Sequence, residues 1–262
     1  MILKTPIFIL SDFGYSDTYV AQMKAEILSF SGYDTPVIDL THMVEPGNIL
    51  QGAYHLRSSL PHLPEGSVTL AVVDPGVGSE RSGLAVFWQG RFVVAPDNGL
   101  ITMLNGPLKA WKLPPPEPGS STVFHGRDLF ARCAARIAVD PGWTSYLDPL
   151  DPVFLEEQKP VFNGSILSVA VLHVDHFGNC ILGVSSEDMK GAAPVALVSD
   201  LCETPLFPVS SYHQAPADDT LLFLQGSQGF YELALNGRSA SEKLDLLPGH
   251  RISIKVKRDN IL

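Results

Sequence analysis

Short, mostly apolar runs alternate with longer amphipathic stretches through the first part of the chain. Ile7–Leu10, Val37–Leu40, Val68–Val73 and Phe92–Ala95 have the length and texture of buried strands. Between them lie patterns of helical period. Tyr19–Phe30 sets Val20, Met23, Ile27 and Leu28 on one face, with Asp17 placed to cap it. Ile49–Leu60 repeats the pattern with Ile49, Ala53, Leu56 and Leu60, and Leu129–Val139 does so with Leu129, Phe130, Cys133 and Ile137. Alternating strand and helix over residues 1–155 predicts a three-layer α/β domain with a largely parallel sheet. Leu113–Ser121 (LPPPEPGSS) is too rich in proline for a helix or a central strand and reads as an exposed loop, a candidate lid. Asp148–Pro160 reads as a linker. From residue 163 to 262 the helices fade. Ile166–Leu172, Cys180–Val184, Val195–Val198, Leu221–Leu224, Tyr231–Leu235 and Ile252–Val256 are strand-like and separated by turn residues, which argues for a small β-barrel or sandwich, the barrel being the expectation adopted.

Composition narrows the function classes. The chain of 262 residues is 45% hydrophobic and 18% charged, enough apolar material for a large core. A formal net charge of −10 argues against nucleic acid and against anionic membrane as partners. No apolar run approaches the roughly 20 residues of a membrane span, and no signal peptide is visible. The three cysteines, Cys133, Cys180 and Cys202, are widely spaced, lack zinc-ligand spacing and suit buried thiols in a reducing cytoplasm.

The candidate chemistry gathers at strand ends. Asp12, Asp39, Asp74 and Asp97 each lie at or near the end of a predicted strand. Open α/β sheets bind ligands outside the carboxyl ends of their strands, although aspartate also suits turns and caps. In Val72–Arg81 (VVDPGVGSER) a tight turn separates Asp74 from Arg81, which could fold back onto it. A carboxylate beside a guanidinium can orient a water; an incidental salt bridge is the plainer reading. Phe124–Phe130 (FHGRDLF) sets His125 before a helix. Asp175–Asn179 (DHFGN) offers an aromatic face at Phe177 and a donor–acceptor amide at Asn179, as an adenine edge requires, or simply a β-turn. Gly226–Gly237 (GSQGFYELALNG) has neither Walker nor Rossmann spacing. Nucleophile-elbow and zinc-protease motifs are absent from the sequence.

These segments, in this order, resemble the S-adenosyl-L-methionine hydrolases. These hydroxide adenosyltransferases are related to the fluorinase and chlorinase that make 5′-halogenated adenosines. The resemblance spans nearly the whole chain. It rests on Ser11–Asp17 with Tyr19-Val20, Asp39–His42 (DLTH), Val72–Arg81, Ala95–Gly99 (APDNG), Phe124–Phe130, Asp175–Asn179 and Gly226–Ala234. It implies a homotrimer with active sites between subunits, and a small-molecule substrate with no cofactor and no metal. The implied hydrolytic triad is Asp74, Arg81 and His125. Asp12 falls where the ribose hydroxyls are held and Asp17 near the methionine end. Asp175 and Ser227 match residues that grip the amino acid moiety. Phe177 and Asn179 match the adenine pocket, completed by backbone around Asn236 and Gly237. Three departures stand out. Asp74 replaces the tyrosine of the halogenating enzymes, Ile181 replaces the tryptophan that stacks on adenine, and Gln228 replaces the arginine of the carboxylate clamp.

The implied reaction is water plus S-adenosyl-L-methionine giving adenosine, L-methionine and a proton. The sulfonium is already an excellent leaving group, so the site must supply an aligned water. Alignment alone is worth about 7–11 kcal/mol, and a dry pocket favours the cancellation of charge as the nucleophile meets the sulfonium. Three other readings compete: a halide-dependent adenosyltransferase, a non-catalytic adenosine or S-adenosylmethionine binder, and a structural protein whose aspartates only form turns.

Overall fold

The computed structural model describes residues 4–155, 159–199, 202–216 and 219–258. Contacts divide the chain into two units, Met1–Leu155 and Glu156–Leu262.

The first unit is built on a six-stranded sheet. Its strands are β1 (Ile7–Ser11), β2 (Val37–Thr41), β3 (Val68–Val72), β4 (Gly83–Trp88), β5 (Arg91–Pro96) and β6 (Leu108–Lys112), in the order β2-β1-β3-β5-β4-β6. The β1–β2, β1–β3 and β3–β5 pairs are parallel, while β4 runs antiparallel to both β5 and β6. Alternation along β1 explains the three layers. Ile7 and Ile9 face a cluster with Met23 and Ile27 of helix α1 (Tyr19–Ser31) and with helix α3 (Arg132–Val139). Phe8 and Leu10 face the opposite cluster with Leu56 of helix α2 (Ile49–Ser59). Both faces of β1 and β3 are buried, so their sequences read as unbroken apolar runs.

Sequence periodicity passed over β4 and β6. Gly83–Trp88 forms a hairpin with β5 through Gln89-Gly90, both at positive φ, and Gln-Gly carries a weaker turn signal than Asn-Gly. Asp17 does not cap α1: Thr18 holds that position without a side-chain cap bond. The third helix starts earlier than its apolar stripe suggests, with a π-helical turn over Gly126–Ala131. The proline-rich loop is tied down at two points, by Arg132 Nη1 to Glu117 at 2.6 Å and by Ser121 N–H donating to Asp128 at 2.8 Å. The stretch read as a linker is anchored to the first unit as far as Leu155. Val153 N–H donates to Asp97 at 2.9 Å and Leu155 N–H to Thr102 at 2.8 Å. Residues 156–158 of that stretch lie outside the described residues.

The second unit is a closed seven-stranded barrel. The unit's strands are β7 (Val161–Asn163), β8 (Ile166–Val174), β9 (Cys180–Ser185), β10 (Ala192–Val198), β11 (Glu203–Pro208), β12 (Leu221–Gln225), β13 (Phe230–Ala234) and β14 (Arg251–Arg258), of which β8 to β14 form the barrel. The order β14-β10-β11-β12-β13-β9-β8 closes through β14–β8, and β7 adds to the outside edge of β8. Its core runs from Leu167 and Val169 through Cys180 and Phe223 to Ile254. Glu203–Pro208 carries two prolines and two exposed ends, which hid β11 from a reading by apolar alternation. Helix α4 (Ala240–Leu244) is too short for its periodicity to register. Cys133 and Cys180 are buried as expected, but Cys202 is exposed.

Candidate functional site

Asp74, Arg81 and His125, distant in sequence, meet in the first unit. Asp74 leaves the sheet two residues beyond β3, and the chain turns at once. Val77 N–H donates to the Asp74 carbonyl at 3.2 Å, and Ser79 N–H to the Gly76 carbonyl at 3.1 Å. Gly78 sits at φ +80°, and a Cβ there would stand 2.7 Å from the Thr122 carbonyl oxygen. The turn therefore presses against the segment that leads into His125. Arg81 folds back, and its Nε donates to Asp74 Oδ1 at 2.9 Å while Nη2 donates to Oδ2. The same Nη2 donates to His125 Nδ1 at 3.0 Å. The guanidinium lies 5.0 Å over the Phe130 ring. The Arg81 and Asp74 side chains are only 10% and 5% exposed, so the pair is largely dry. Burial, then the neighbouring Arg81 charge, hold the His125 imidazole below its usual value, against weaker pulls from Asp74 and Asp128. His125 is thus neutral near pH 7. Its Nδ1 accepts from Arg81, which can only donate, so its proton sits on Nε2.

Of the other three strand-end aspartates, Asp12 is the one that feels the charge of Asp74. β1 and β3 run parallel with Ser11 opposite Val72, so both chains leave the sheet at the same end. Asp12 accepts from Gly47 N–H at 2.8 Å, and burial, with a smaller push from Asp74, raises its pKa. Asp39 lies within β2, where Lys24 donates to it at 2.7 Å. Its other oxygen is 3.1 Å from Nε2 of buried His42, off the hydrogen-bonding direction, while His42 Nδ1 is 2.6 Å from Ser11 Oγ. Asp97 receives Val153 N–H, as above, and burial raises its pKa. Asp17 is exposed at the entry to α1.

The second unit holds a cavity of about 530 Å³, lined by Phe177, Asn179, Tyr212, Leu235, Gly237 and Arg238 among others. Its floor is a self-satisfied turn. Asp175 Oδ1 accepts from the Phe177 and Asn179 amides at 2.9 and 2.8 Å, and Oδ2 from Asn179 Nδ2 at 2.9 Å. Asp175 therefore spends its carboxylate on holding Asn179 in place, and Phe177 is left 76% exposed. Asn236 is exposed and its side chain donates to the Pro216 carbonyl at 3.2 Å. Ser227 and Gln228 ride on the turn Gly226–Gly229, closed by Gly229 N–H to the Gly226 carbonyl at 3.1 Å. Sequence reading missed Tyr212, which lies in a stretch without periodicity. It also passed over Glu232, although a single carboxylate inside the apolar run Phe230–Ala234 is itself a signal, because a buried charge needs a partner. Among the described residues, no cluster of three or more His, Cys, Asp or Glu is arranged to hold a metal ion. Burial pushes the Cys133 and Cys180 thiols up to about 12. No helix among the described residues is long and apolar enough to cross a membrane.

Comparison with known proteins covers both units. Residues 7–145 match the family model for the SAM hydroxide adenosyltransferase N-terminal domain, and residues 169–253 that for the C-terminal domain. The chain is 36% identical to a protein of Thermus thermophilus named (R)-S-adenosyl-L-methionine hydrolase, over 93% of this chain and 97% of that one. It is 33% identical to a protein of the same name from Salinispora arenicola, over 93% and 95%. A protein of Actinopolyspora mzabensis named fluorinase is more distant, at 26% over 96% and 97%. Among solved structures, an uncharacterized conserved protein from Thermotoga maritima superimposes with a TM-score of 0.84 at 28% identity, over 95% of this chain and 99% of that one.

Proposed function

We propose that this chain, which belongs to the SAM hydroxide adenosyltransferase family, hydrolyses S-adenosyl-L-methionine to adenosine and L-methionine. A water oxygen attacks C5′, the O–C5′ bond forms, the C5′–S bond breaks, and its electron pair leaves with methionine sulfur. One proton is released. The observation that carries this reading is the Asp74–Arg81–His125 cluster, largely dry and cross-bonded. Asp74 fixes the Arg81 guanidinium through two hydrogen bonds. Arg81 in turn fixes the His125 ring and its tautomer. His125 Nε2–H then donates to the attacking oxygen, and the Arg81 charge favours hydroxide character there. As the O–C5′ bond forms, the water becomes strongly acidic, so the Asp74 carboxylate suffices to accept its proton. The sulfonium needs no acid catalyst.

Asp12 suits the ribose hydroxyls, and the cavity at Phe177, Asn179 and Gly237 suits adenine. Ser227, Gln228 and Asp17 are assigned to the methionine moiety, with Asp175 ordering the turn beside it. The reaction is proposed to need no cofactor, and the protein to act on a small molecule in the cytoplasm as a homotrimer. Sedimentation equilibrium should then give three times the 28.4 kDa chain mass; a monomer would overturn that part. The halide-dependent alternative is disfavoured because relatives named hydrolase are nearer in sequence than those named fluorinase. It is disfavoured too because a proton-accepting carboxylate at position 74 serves a water nucleophile and has no proton to take from a halide. Incubation with S-adenosylmethionine in oxygen-18 water containing EDTA, with and without chloride, tests the proposal. Adenosine labelled at C5′, at a rate independent of chloride and EDTA, is the expected product. A 5′-chloro nucleoside or unchanged substrate would overturn it.

A further inference from the structure

One wall of the cavity in the second unit has no role in the steps above. Tyr212 stands on a short 3-10 turn, Tyr212–Gln214, in a segment tied to the barrel by Val209 N–H on the Phe223 carbonyl and by Asn236 on the Pro216 carbonyl. Its ring lines the cavity and its hydroxyl donates to Glu232 Oε1. Glu232 lies on β13 and is 8% exposed. A carboxylate in that position is costly unless something uses it. The other carboxylate oxygen points at the turn that carries Ser227 and Gln228. A Cβ on Gly226 would stand 2.6 Å from Oε2, so a side chain at position 226 would push the carboxylate aside. One buried side chain therefore touches both the aromatic wall and the base of that turn. Burial first, and then the bond to Glu232, push the Tyr212 hydroxyl well above its usual value, so it stays a donor. Burial raises Glu232 against the pull of the Tyr212 bond, with a smaller push from Asp175.

We propose that Glu232 is a positioning residue that holds Tyr212 as the rigid aromatic wall against which the substrate's nucleobase lies. The inference rests on the assignment of the cavity to adenine. A tyrosine on an exposed turn would otherwise lose rotamer freedom each time substrate bound. Anchoring its hydroxyl removes that loss beforehand, so the effect belongs to binding rather than to the chemical step.

Tyr212→Phe keeps the ring and removes only the anchor, so it tests the idea directly. It should raise KM for S-adenosylmethionine and Kd for adenosine by roughly two- to tenfold, the cost of immobilising one side chain on binding. kcat should stay near wild type, while Tm falls because the buried Glu232 carboxylate loses its partner. Glu232→Gln, which keeps a carbonyl acceptor, should lose less than Glu232→Ala. In the Tyr212→Phe background Glu232→Ala should add no further loss of adenosine affinity, because the two act through one bond. A purely structural role would instead lower Tm and kcat together. Wild-type KM and Kd in Tyr212→Phe, in a protein that still hydrolyses S-adenosylmethionine, would overturn the inference alone. Absence of adenosine binding in the wild type would overturn it together with the assignment on which it rests.

Discussion

Arg81 offers only N–H donors, so every group that touches it must accept. Asp74 does so with two oxygens and His125 with Nδ1. Protonating His125 would set two donors against each other and break the 3.0 Å contact. Its folded pKa lies below the ordinary value of about 6.5 because of burial and then Arg81. The acid limb of kcat should therefore fall below pH 6.5, and a limb at or above 6.5 would contradict the neutral tautomer. His125→Ala should lower kcat by about 10²–10⁴-fold, the usual range for a group in contact with the transferred proton or its oxygen. Adenosine affinity should stay within about threefold, since His125 acts on the reacting end of the substrate; equal losses in both would mean a general collapse of the site. Arg81→Ala is a poorer probe. It strands the largely buried Asp74 carboxylate, which costs about 3–5 kcal/mol of stability in comparable pairs.

At the scale of elements, the site depends on a turn and a π-helical start. The segment Asp74–Arg81 must reverse direction within a few residues and lie flat against Thr122, and Gly78 permits both. Gly78→Ala would add a Cβ at positive φ, costing about 1–2 kcal/mol, and would press it on a backbone carbonyl that cannot swing aside. We expect a lower urea midpoint and a loss of turnover larger than the loss of stability, because Arg81 moves with the turn. Wild-type turnover in a destabilised Gly78→Ala protein would show that the turn does not set the Arg81 position. The π-helical turn Gly126–Ala131 places His125 at its mouth and Phe130 beneath Arg81. Such turns shift the register of one helical face against the next, and they recur at functional sites.

At the scale of the molecule, three histidines share one electrostatic sign. Burial leads the causes that hold His42, His125 and His173 below the usual value. For His42, Asp39 pulls the other way without prevailing. The unfolded chain takes up protons near pH 6.5, at about the model value, while the folded chain resists until lower pH. Stability is therefore lost as pH falls from 6.5 through the folded values. The buried carboxyls Asp12, Asp97 and Glu232 are raised, so they favour the folded state as pH falls into the carboxylate range, a lower window. Tm should thus drop by a few degrees between pH 7.5 and 5.5, and His42→Gln should flatten that slope. A Tm that rises over this interval would contradict the assignment.

Much of this was legible in the residues themselves. Buried strands on both faces of a sheet must be apolar throughout, so Ile7–Leu10 and Val68–Val73 announced the centre of the first sheet. Helical spacing announced α1 to α3, and motif order announced the family. What depends on partners distant in sequence was not legible. The hairpin of β4 is apolar without a strong turn signal, and β11 pairs in parallel with β12 despite its prolines. Asp12, Asp39, Asp74 and Asp97 look alike in sequence, yet only the register of β1 against β3, and the cations or amides that folding brings up, sort them into different roles. Tyr212 and Glu232 form a pair across 20 residues of chain. Local sequence determines which segments must be buried and what chemistry they carry. Which side chains meet, in which protonation state and facing which cavity, is decided by long-range packing and desolvation, which exist only once the chain has folded.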